Sequence, residues 1–72
     1  MDKLIEQCNQ LVVFIPDKQI RAAIRKLIED KSFTTARMTV RELVFHYEKY
    51  EFIEQIKELY NKLKQLENDT TK

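Results

Sequence analysis

The sequence contains no glycine and no tryptophan, and it has only one proline, one cysteine and one histidine among its 72 residues. Phosphate-cradling loops and nucleotide-binding fingerprints need the backbone freedom of glycine, so these classes of site are excluded. A single cysteine cannot form an internal disulfide and gives no sign of an oxidising compartment. Domains of about this size bury only about 60% of the surface that the unfolded chain exposes, and a second subunit is one common way to stabilise them.

Long hydrophobic runs are also missing. The longest apolar run, Leu11–Ile15, has five residues, whereas a helix that spans a bilayer needs about 20. The first residues lack the basic segment and apolar core of a signal peptide. With 43% hydrophobic and 35% charged residues, the composition is typical of globular proteins. We therefore expect a soluble cytoplasmic protein with one helical domain over residues 1–67 and a frayed polar tail over residues 68–72.

Two amphipathic helices are predicted in the first 30 residues. The first runs from about Lys3 to Phe14 with Asp2 as its N-cap, because its apolar residues recur at the three- and four-residue spacing of one helical face. Pro16 ends this helix, since proline disfavours a helical conformation in the residue before it. The second helix covers about residues 17–30, and the short connection between the two indicates an antiparallel hairpin.

The segment over residues 32–38 is open to three interpretations: a short helical turn, an extended linker, or a strand that pairs with a second chain. Thr39 and Glu42 then match a capping box, in which the two side chains satisfy each other's backbone N–H groups. From there to Glu67 no glycine, proline or turn-forming cluster interrupts the pattern. The sequence therefore predicts one continuous helix of roughly 29 residues, about 43 Å long.

The apolar face of this long helix changes sides near residues 49–51. At about 100° per residue, the large apolar residues before the crossover lie nearly opposite those that follow it. The two N-terminal helices are long enough to pack against only about half of this long helix. The apolar residues of the other half therefore need another chain to bury them. The predicted fold is all-α, with a helical hairpin plus one long C-terminal helix packed as a helical bundle. We expect two copies to form a homodimer, and the sequence does not distinguish a parallel, an antiparallel or an exchanged dimer. The residues predicted to mediate self-association are Phe45, Phe52, Ile53, Ile56, Leu59, Tyr60, Leu63 and Leu66.

A break near residues 48–51 is the alternative to a continuous helix. It would produce a fourth helix that folds back into an intramolecular four-helix bundle. The residues that usually mark such a turn are absent from this stretch, which argues against the break.

Positive charge is concentrated in the middle of the chain. Residues 17–41 carry seven basic and three acidic side chains, although the formal net charge of the whole chain is only +1. Such a patch contacts nucleic-acid phosphate, contacts an acidic partner protein, or is simply a solvated helix face. The residues assigned to this basic face are Lys18, Arg21, Arg25, Arg37 and Arg41.

Catalytic and metal chemistry have few candidate groups. His46 is the only histidine, and no ligand spacing joins it to Cys8 or to carboxylates. Cys8 falls on the core stripe of the first helix, where a thiol behaves as a small hydrophobe. Nucleophilic Cys–His chemistry would also need an oxyanion site, for which the chain has no glycine-rich turn. We therefore expect no enzymatic activity, no metal and no cofactor.

The favoured hypothesis is a small non-enzymatic regulatory or inhibitory protein that binds a larger protein and self-associates through its C-terminal helix. Small proteins of this kind include many that phages and mobile elements encode. The alternative is a dimeric nucleic-acid-binding transcriptional regulator that uses the basic face on the second helix and the following linker. The third hypothesis is a structural assembly module, whose function is to form the dimer itself.

Overall fold

The computed structural model describes residues 2–70, and these residues form four α-helices joined by short connections. The helices are α1 (Asp2–Val12), α2 (Lys18–Glu29), α3 (Phe33–His46) and α4 (Ile53–Thr70). Both α1 and α3 pack against α2 and α4, so the helices form a closed ring. This is the arrangement of a helical bundle. The all-α prediction is confirmed, whereas the number and the bounds of the C-terminal helices differ from those predicted.

One hydrophobic core lies along the axis of the bundle, and all four helices contribute to it. Each helix places apolar side chains at intervals of three or four residues, which keeps them on one face. The buried residues of this core are Cys8, Leu11, Val12, Ile15, Ile24, Ile28, Phe33, Ala36, Val40, Leu43, Tyr47, Ile56, Leu59, Leu63 and Leu66.

The first helix ends two residues earlier than predicted. Two backbone hydrogen bonds, from Phe14 N–H to Leu11 O at 3.1 Å and from Ile15 N–H to Val12 O at 3.0 Å, tighten the chain after α1. Bonds of this i→i+3 kind commonly close the last turn of an α-helix. They turn Ile15 into the core, where it is fully buried.

Asp17 begins the second helix as its N-cap. Its Oδ1 accepts hydrogen bonds from the backbone N–H of Gln19 at 2.8 Å and of Ile20 at 3.2 Å. These bonds satisfy two of the amide groups that the first turn of a helix leaves without a partner. The cap fixes where α2 begins, and α2 packs against α1.

The connection between α2 and α3 is only three residues long. Lys31 has a φ of 61°, in the left-handed region, and its N–H donates to Ile28 O at 3.0 Å. The next amide, Ser32 N–H, donates to Leu27 O at 2.8 Å. This pair of bonds is the Schellman motif, which usually places a glycine where this chain has Lys31.

The third helix begins at Phe33, six residues before the predicted start. Phe33 and Ala36 are buried in the core, so the segment over residues 32–38 is neither an extended linker nor a strand. The predicted capping box is also wrong, because Thr39 lies inside α3 and its hydroxyl donates to Thr35 O at 2.9 Å. Burial of the Phe33 side chain favours this earlier start.

The predicted continuous helix is wrong, because the chain reverses over residues 47–52. The amide of Tyr47 donates to Leu43 O at 2.9 Å and closes α3. Two i→i+3 bonds follow, from Tyr50 N–H to Tyr47 O at 3.0 Å and from Ile53 N–H to Tyr50 O at 3.1 Å. No residue of this turn has a positive φ. The turn therefore needs neither glycine nor proline, and their absence was no argument against a break.

The reversal explains the change of apolar face. Val40 and Leu43, before the turn, and Ile56 and Leu59, after it, all lie in the same core. The change of face thus marked a turn between two helices rather than two different partners of one long helix.

The fourth helix continues into the segment that was expected to be a polar tail. Asn68 and Asp69 belong to α4, which ends at Thr70. The remaining residues of the expected tail, Thr71 and Lys72, lie outside the described residues. Among the described helices, none combines the length and the apolar character needed to span a membrane.

Candidate interaction surface

Most of the residues predicted to mediate self-association lie inside the bundle. Ile56, Leu59, Leu63 and Leu66 are fully buried, and they form the contribution of α4 to the core. Phe52, Ile53 and Tyr60 are half-buried and pack against the edge of that core. The apolar face of α4 packs against α1 and α3 of the same chain. It therefore does not need a second chain to bury it.

Phe45 is the exception, since 69% of its surface is exposed. It shares the outward side of α3 with Met38, of which 56% is exposed, and with the exposed side chains of Arg41 and Glu42. At about 100° per residue, these four residues span about 100° of the helix circumference. We call this group, Met38, Arg41, Glu42 and Phe45, the α3 outer surface.

Two shallow depressions border the α3 outer surface. One, of about 210 Å³, is lined by Arg41, Val44, Phe45 and Tyr60, where α3 meets α4. The other, of about 300 Å³, lies among Met38, Arg41, Glu42 and Phe45 themselves. Arg41 and Phe45 line both, so they form the centre of the surface.

Arg21, assigned to the basic face, holds a connection between helices in place. Its Nη1 donates to Ile15 O at 2.6 Å and to Pro16 O at 3.1 Å. Both carbonyls lie in the connection between α1 and α2, outside either helix. Arg21 is partly buried as a result.

Lys18 and Arg25 remain exposed on α2, and neither makes an ion pair with another described residue. Their separation of seven positions places them within about 20° of each other on the helix circumference. Arg41 lies instead beside α4, with Tyr60 across the smaller depression.

Arg37, the remaining member of the predicted basic face, is engaged with α4. Its Nε donates to Glu67 Oε1 at 2.9 Å, and its Nη1 lies 3.5 Å from the hydroxyl of Tyr60. Hydrogen bonds from Thr34 and from Arg37 lower the pKa of the Glu67 carboxyl. Hydrogen bonds to Tyr60 and Glu67 raise the pKa of the Arg37 guanidinium. This network fixes the first half of α3 against the last half of α4.

An aromatic cluster stabilises the turn between α3 and α4. Tyr47 is buried, with edge-to-face contacts to His46 at a centroid distance of 4.6 Å and to Tyr50 at 5.3 Å. Phe52 stacks at a tilt against Tyr47 at 5.4 Å and against Tyr50 at 5.2 Å. Such pairs contribute beyond the area that they bury. His46 itself is exposed and contacts only the edge of this cluster, at Tyr47.

Cys8 is fully buried in α1 and forms no disulfide. Burial raises the pKa of its thiol to about 11, although the positive charge of Lys62 opposes the shift. A thiol with such a pKa is protonated at neutral pH and is a poor nucleophile. No group of three or more histidine, cysteine or acidic side chains within residues 2–70 is arranged to hold a metal ion.

Sequence reasoning missed two members of the α3 outer surface, Met38 and Glu42, and assigned the other two to separate groups. Arg41 was placed on the basic face and Phe45 on the self-association face. The signal was the seven-residue spacing from Met38 to Phe45, which two helical turns align. It was hidden because the predicted helix began at Thr39, one residue after Met38.

Comparison of the chain with protein-family models, with curated proteins and with solved structures finds no match.

Proposed function

We propose that this chain is a small non-enzymatic regulatory or inhibitory protein that acts by binding another protein through the α3 outer surface. The observation that carries the proposal is the row formed by Met38, Arg41 and Phe45, which are exposed together on one side of a single helix. Methionine, arginine and aromatic residues are the types most enriched where proteins bind each other.

The exposure of Phe45 supports a binding role, because a large apolar side chain in contact with water lowers the solubility of a protein. A phenylalanine buried on association contributes roughly 1.5–3 kcal/mol relative to one left in water. Phe45 is the most exposed of the large hydrophobic residues in the described range, and Met38 lies two helical turns away on the same side. Exposed apolar side chains that share one side of a helix with charged residues are typical of interaction sites.

The rigidity of the helix that carries the surface also supports the proposal. The ion pair of Arg37 with Glu67 holds α3 against α4 on one flank of the surface. Val40 and Leu43, on the inner side of α3, are buried in the core. A surface held in this way needs little rearrangement on binding, which lowers the entropic cost of association.

Capture of binding proteins by matched variants tests the proposal. The full chain is immobilised as wild type, as Phe45→Ser and as Val13→Ser, and each form is incubated with a lysate of its native cells. Val13 is the matched control, because 58% of its surface is exposed but it lies after α1, outside the α3 outer surface. We expect wild type and Val13→Ser to retain the same proteins and Phe45→Ser to lose them. Recovery of identical proteins by all three forms would contradict the proposal.

A nucleic-acid-binding regulator is the second candidate, and the exposed pair Lys18 and Arg25 on α2 favours it. Electrophoretic mobility shifts across a salt series test this candidate. Each phosphate contact steepens the log–log dependence of affinity on salt by about 0.9 for duplex DNA. Binding that weakens with salt in wild type and is lost in Lys18→Glu/Arg25→Glu supports it, and a flat salt response excludes it.

A further inference from the structure

The smaller of the two depressions, where α3 meets α4, is mostly apolar. Val44, Phe45 and Tyr60 line it together with the charged residue Arg41, and its volume is about 210 Å³. Sites that enclose small-molecule ligands measure roughly 300–1,000 Å³. A smaller, open depression takes instead a single anchoring side chain of a protein partner. We call this depression the α3–α4 groove.

Positive charge borders the α3–α4 groove on both helices. Arg41 belongs to its lining on α3. Lys64 follows Tyr60 by four positions, so it lies one turn further along the same side of α4. Both cations are exposed, and neither makes an ion pair with another described residue. None of the described residues that line the groove is acidic.

The acidic residues close to these cations leave the groove positively charged. Glu67, three positions after Lys64, accepts a hydrogen bond from Arg37 Nε at 2.9 Å. One carboxylate cannot balance both of these cations. Glu42 lies about 100° from Arg41 around α3 and is not part of the lining. Three cations on α3 and α4 thus lie beside a single carboxylate.

We infer that the α3–α4 groove binds an acidic segment of another protein. One large apolar side chain of that segment enters the depression, and its carboxylates lie beside Arg41 and Lys64. The inference rests on the proposed function, because Arg41 and Phe45 belong to the α3 outer surface as well, and it adds the chemistry of the partner. Burial of the apolar side chain supplies affinity, whereas the charges determine which segments are accepted.

A protein segment fits the groove better than nucleic acid does. Proteins that bind single strands combine a track of cations with aromatic rings on which successive bases stack. The groove has one exposed ring, Phe45, because Tyr60 is half-buried with its hydroxyl 3.5 Å from Arg37 Nη1. A segment with one apolar side chain between carboxylates matches one depression between two cations.

Selection from a random peptide library displayed on phage tests the inference on the full chain. Immobilised wild type is incubated with the library, and the retained peptides are sequenced after several rounds. We expect the enriched peptides to combine a large apolar residue with neighbouring Asp or Glu and to carry net negative charge. Enrichment of peptides without excess acidic residues overturns the inference, and so does the absence of any enriched peptide.

Fluorescence polarisation of the most enriched peptide then locates its binding site. Arg41→Glu and Lys64→Glu each replace an attraction by a repulsion, so we expect each to raise the dissociation constant at least about fivefold. Phe45→Ser removes apolar contact area, so we expect a rise of at least about tenfold. A peptide insensitive to positions 41 and 64 overturns the inference.

Arg25→Glu is the matched control, because it makes the same change of net charge at an exposed position of α2. We expect it to leave the dissociation constant within about twofold of wild type, since salt screens distant charges. Circular dichroism and urea denaturation of each variant establish that it is folded before it is compared. An equal loss of affinity in Arg25→Glu would assign binding to overall charge and overturn the inference.

A thymidine oligonucleotide is the probe for nucleic acid. We expect it to bind more weakly than the enriched peptide. An oligonucleotide that binds wild type more tightly than the peptide, and that Arg41→Glu/Lys64→Glu no longer binds, overturns the inference in favour of nucleic acid.

The failure of this inference is distinguishable from the failure of the proposed function. Lysate proteins that Phe45→Ser loses but Arg41→Glu/Lys64→Glu retains refute the acidic partner and leave the binding of another protein standing. Acidic peptides that bind through Arg41 and Lys64, while Phe45→Ser captures the same lysate proteins as wild type, support the inference about the groove and refute the proposed function alone.

Discussion

Lys31 adopts a backbone conformation that usually belongs to glycine. Its φ of 61° places it in the left-handed region, where a side chain with a Cβ costs roughly 1–2 kcal/mol. The hydrogen bonds that close α2 over Lys31 and Ser32 compensate for this cost. A chain without glycine thus still makes a glycine-type helix ending, at the expense of some stability.

Lys31→Gly is expected to stabilise the protein. Glycine removes the strain of the left-handed conformation, and the greater freedom of the unfolded chain offsets part of that gain. We expect a net increase of about 0.5–1 kcal/mol in the free energy of unfolding, measured by urea denaturation. Lys31→Ala keeps the Cβ and removes the charge, so it serves as the control and should give no such increase. Equal stabilisation by both variants would assign the effect to charge rather than to backbone conformation.

Glu67 makes stability sensitive to acid through its place between α3 and α4. Hydrogen bonds from Thr34 and Arg37 lower its pKa in the folded protein. A carboxyl group with a lowered folded-state pKa contributes stability above its unfolded pKa of about 4.3, and that contribution disappears as the pH falls through the folded-state pKa. The connection of the two helices therefore weakens in acid.

Glu67→Gln is expected to remove this part of the acid dependence. The variant should be less stable than wild type at pH 7, and the difference should shrink as the pH falls below about 4.3. Thermal unfolding followed by circular dichroism from neutral to acidic pH measures it. Glu51→Gln removes a carboxylate from an exposed position of the α3–α4 turn, and it should keep the wild-type profile. An unchanged acid dependence in Glu67→Gln would show that other carboxylates govern it.

Among the helices, α3 shows most clearly where local pattern is informative and where it is not. The apolar periodicity of Val40 and Leu43 identified a helix, and the change of apolar face near residues 49–51 marked the site of the turn. The turn itself was missed, because its consecutive i→i+3 bonds use negative φ and need no marker residue. The start at Phe33 was missed because the match of Thr39 and Glu42 to a capping box favoured a later start, although Ser32 is the N-cap.

The contact between α3 and α4 depends on residues that are distant in sequence. Arg37 and Glu67 are 30 positions apart, and no local pattern pairs them. Sequence reasoning grouped Arg37 with other cations by proximity along the chain, whereas the structure uses it to hold two helices together. Arg21 was grouped in the same way, and it bonds the carbonyls that follow α1.

At the scale of the whole molecule, the residues that the structure describes share a single small core, so each buried side chain carries a large share of the stability. Leu63 on α4 is fully buried. Loss of a buried leucine side chain typically costs 2–5 kcal/mol, because the remaining cavity fills only partly. A domain of this length has a total stability of only about 4–11 kcal/mol on the usual per-residue scale.

Leu63→Ala is therefore expected to bring the protein close to unfolding at room temperature. Urea denaturation should show a loss of about 2–5 kcal/mol, with a reduced helical signal before denaturant is added if the loss approaches the total. Met38→Ala is the control, because Met38 is exposed and surface changes usually stay within about 0.5 kcal/mol. A Leu63→Ala variant as stable as Met38→Ala would mean that α4 is not part of the core.

The amino-acid sequence alone determined that this protein is helical and that its apolar residues form stripes. These properties follow from composition and from the 3.6-residue period, which act over one or two turns of chain. Only the tertiary structure decided which stripe is covered by which helix. Once α4 folds back, its leucines fill the core, and Met38, Arg41, Glu42 and Phe45 are among the side chains left exposed. The solvent exposure of a side chain depends on which residues lie near it in space. Many of these residues are distant in sequence, so the local sequence pattern alone does not determine it.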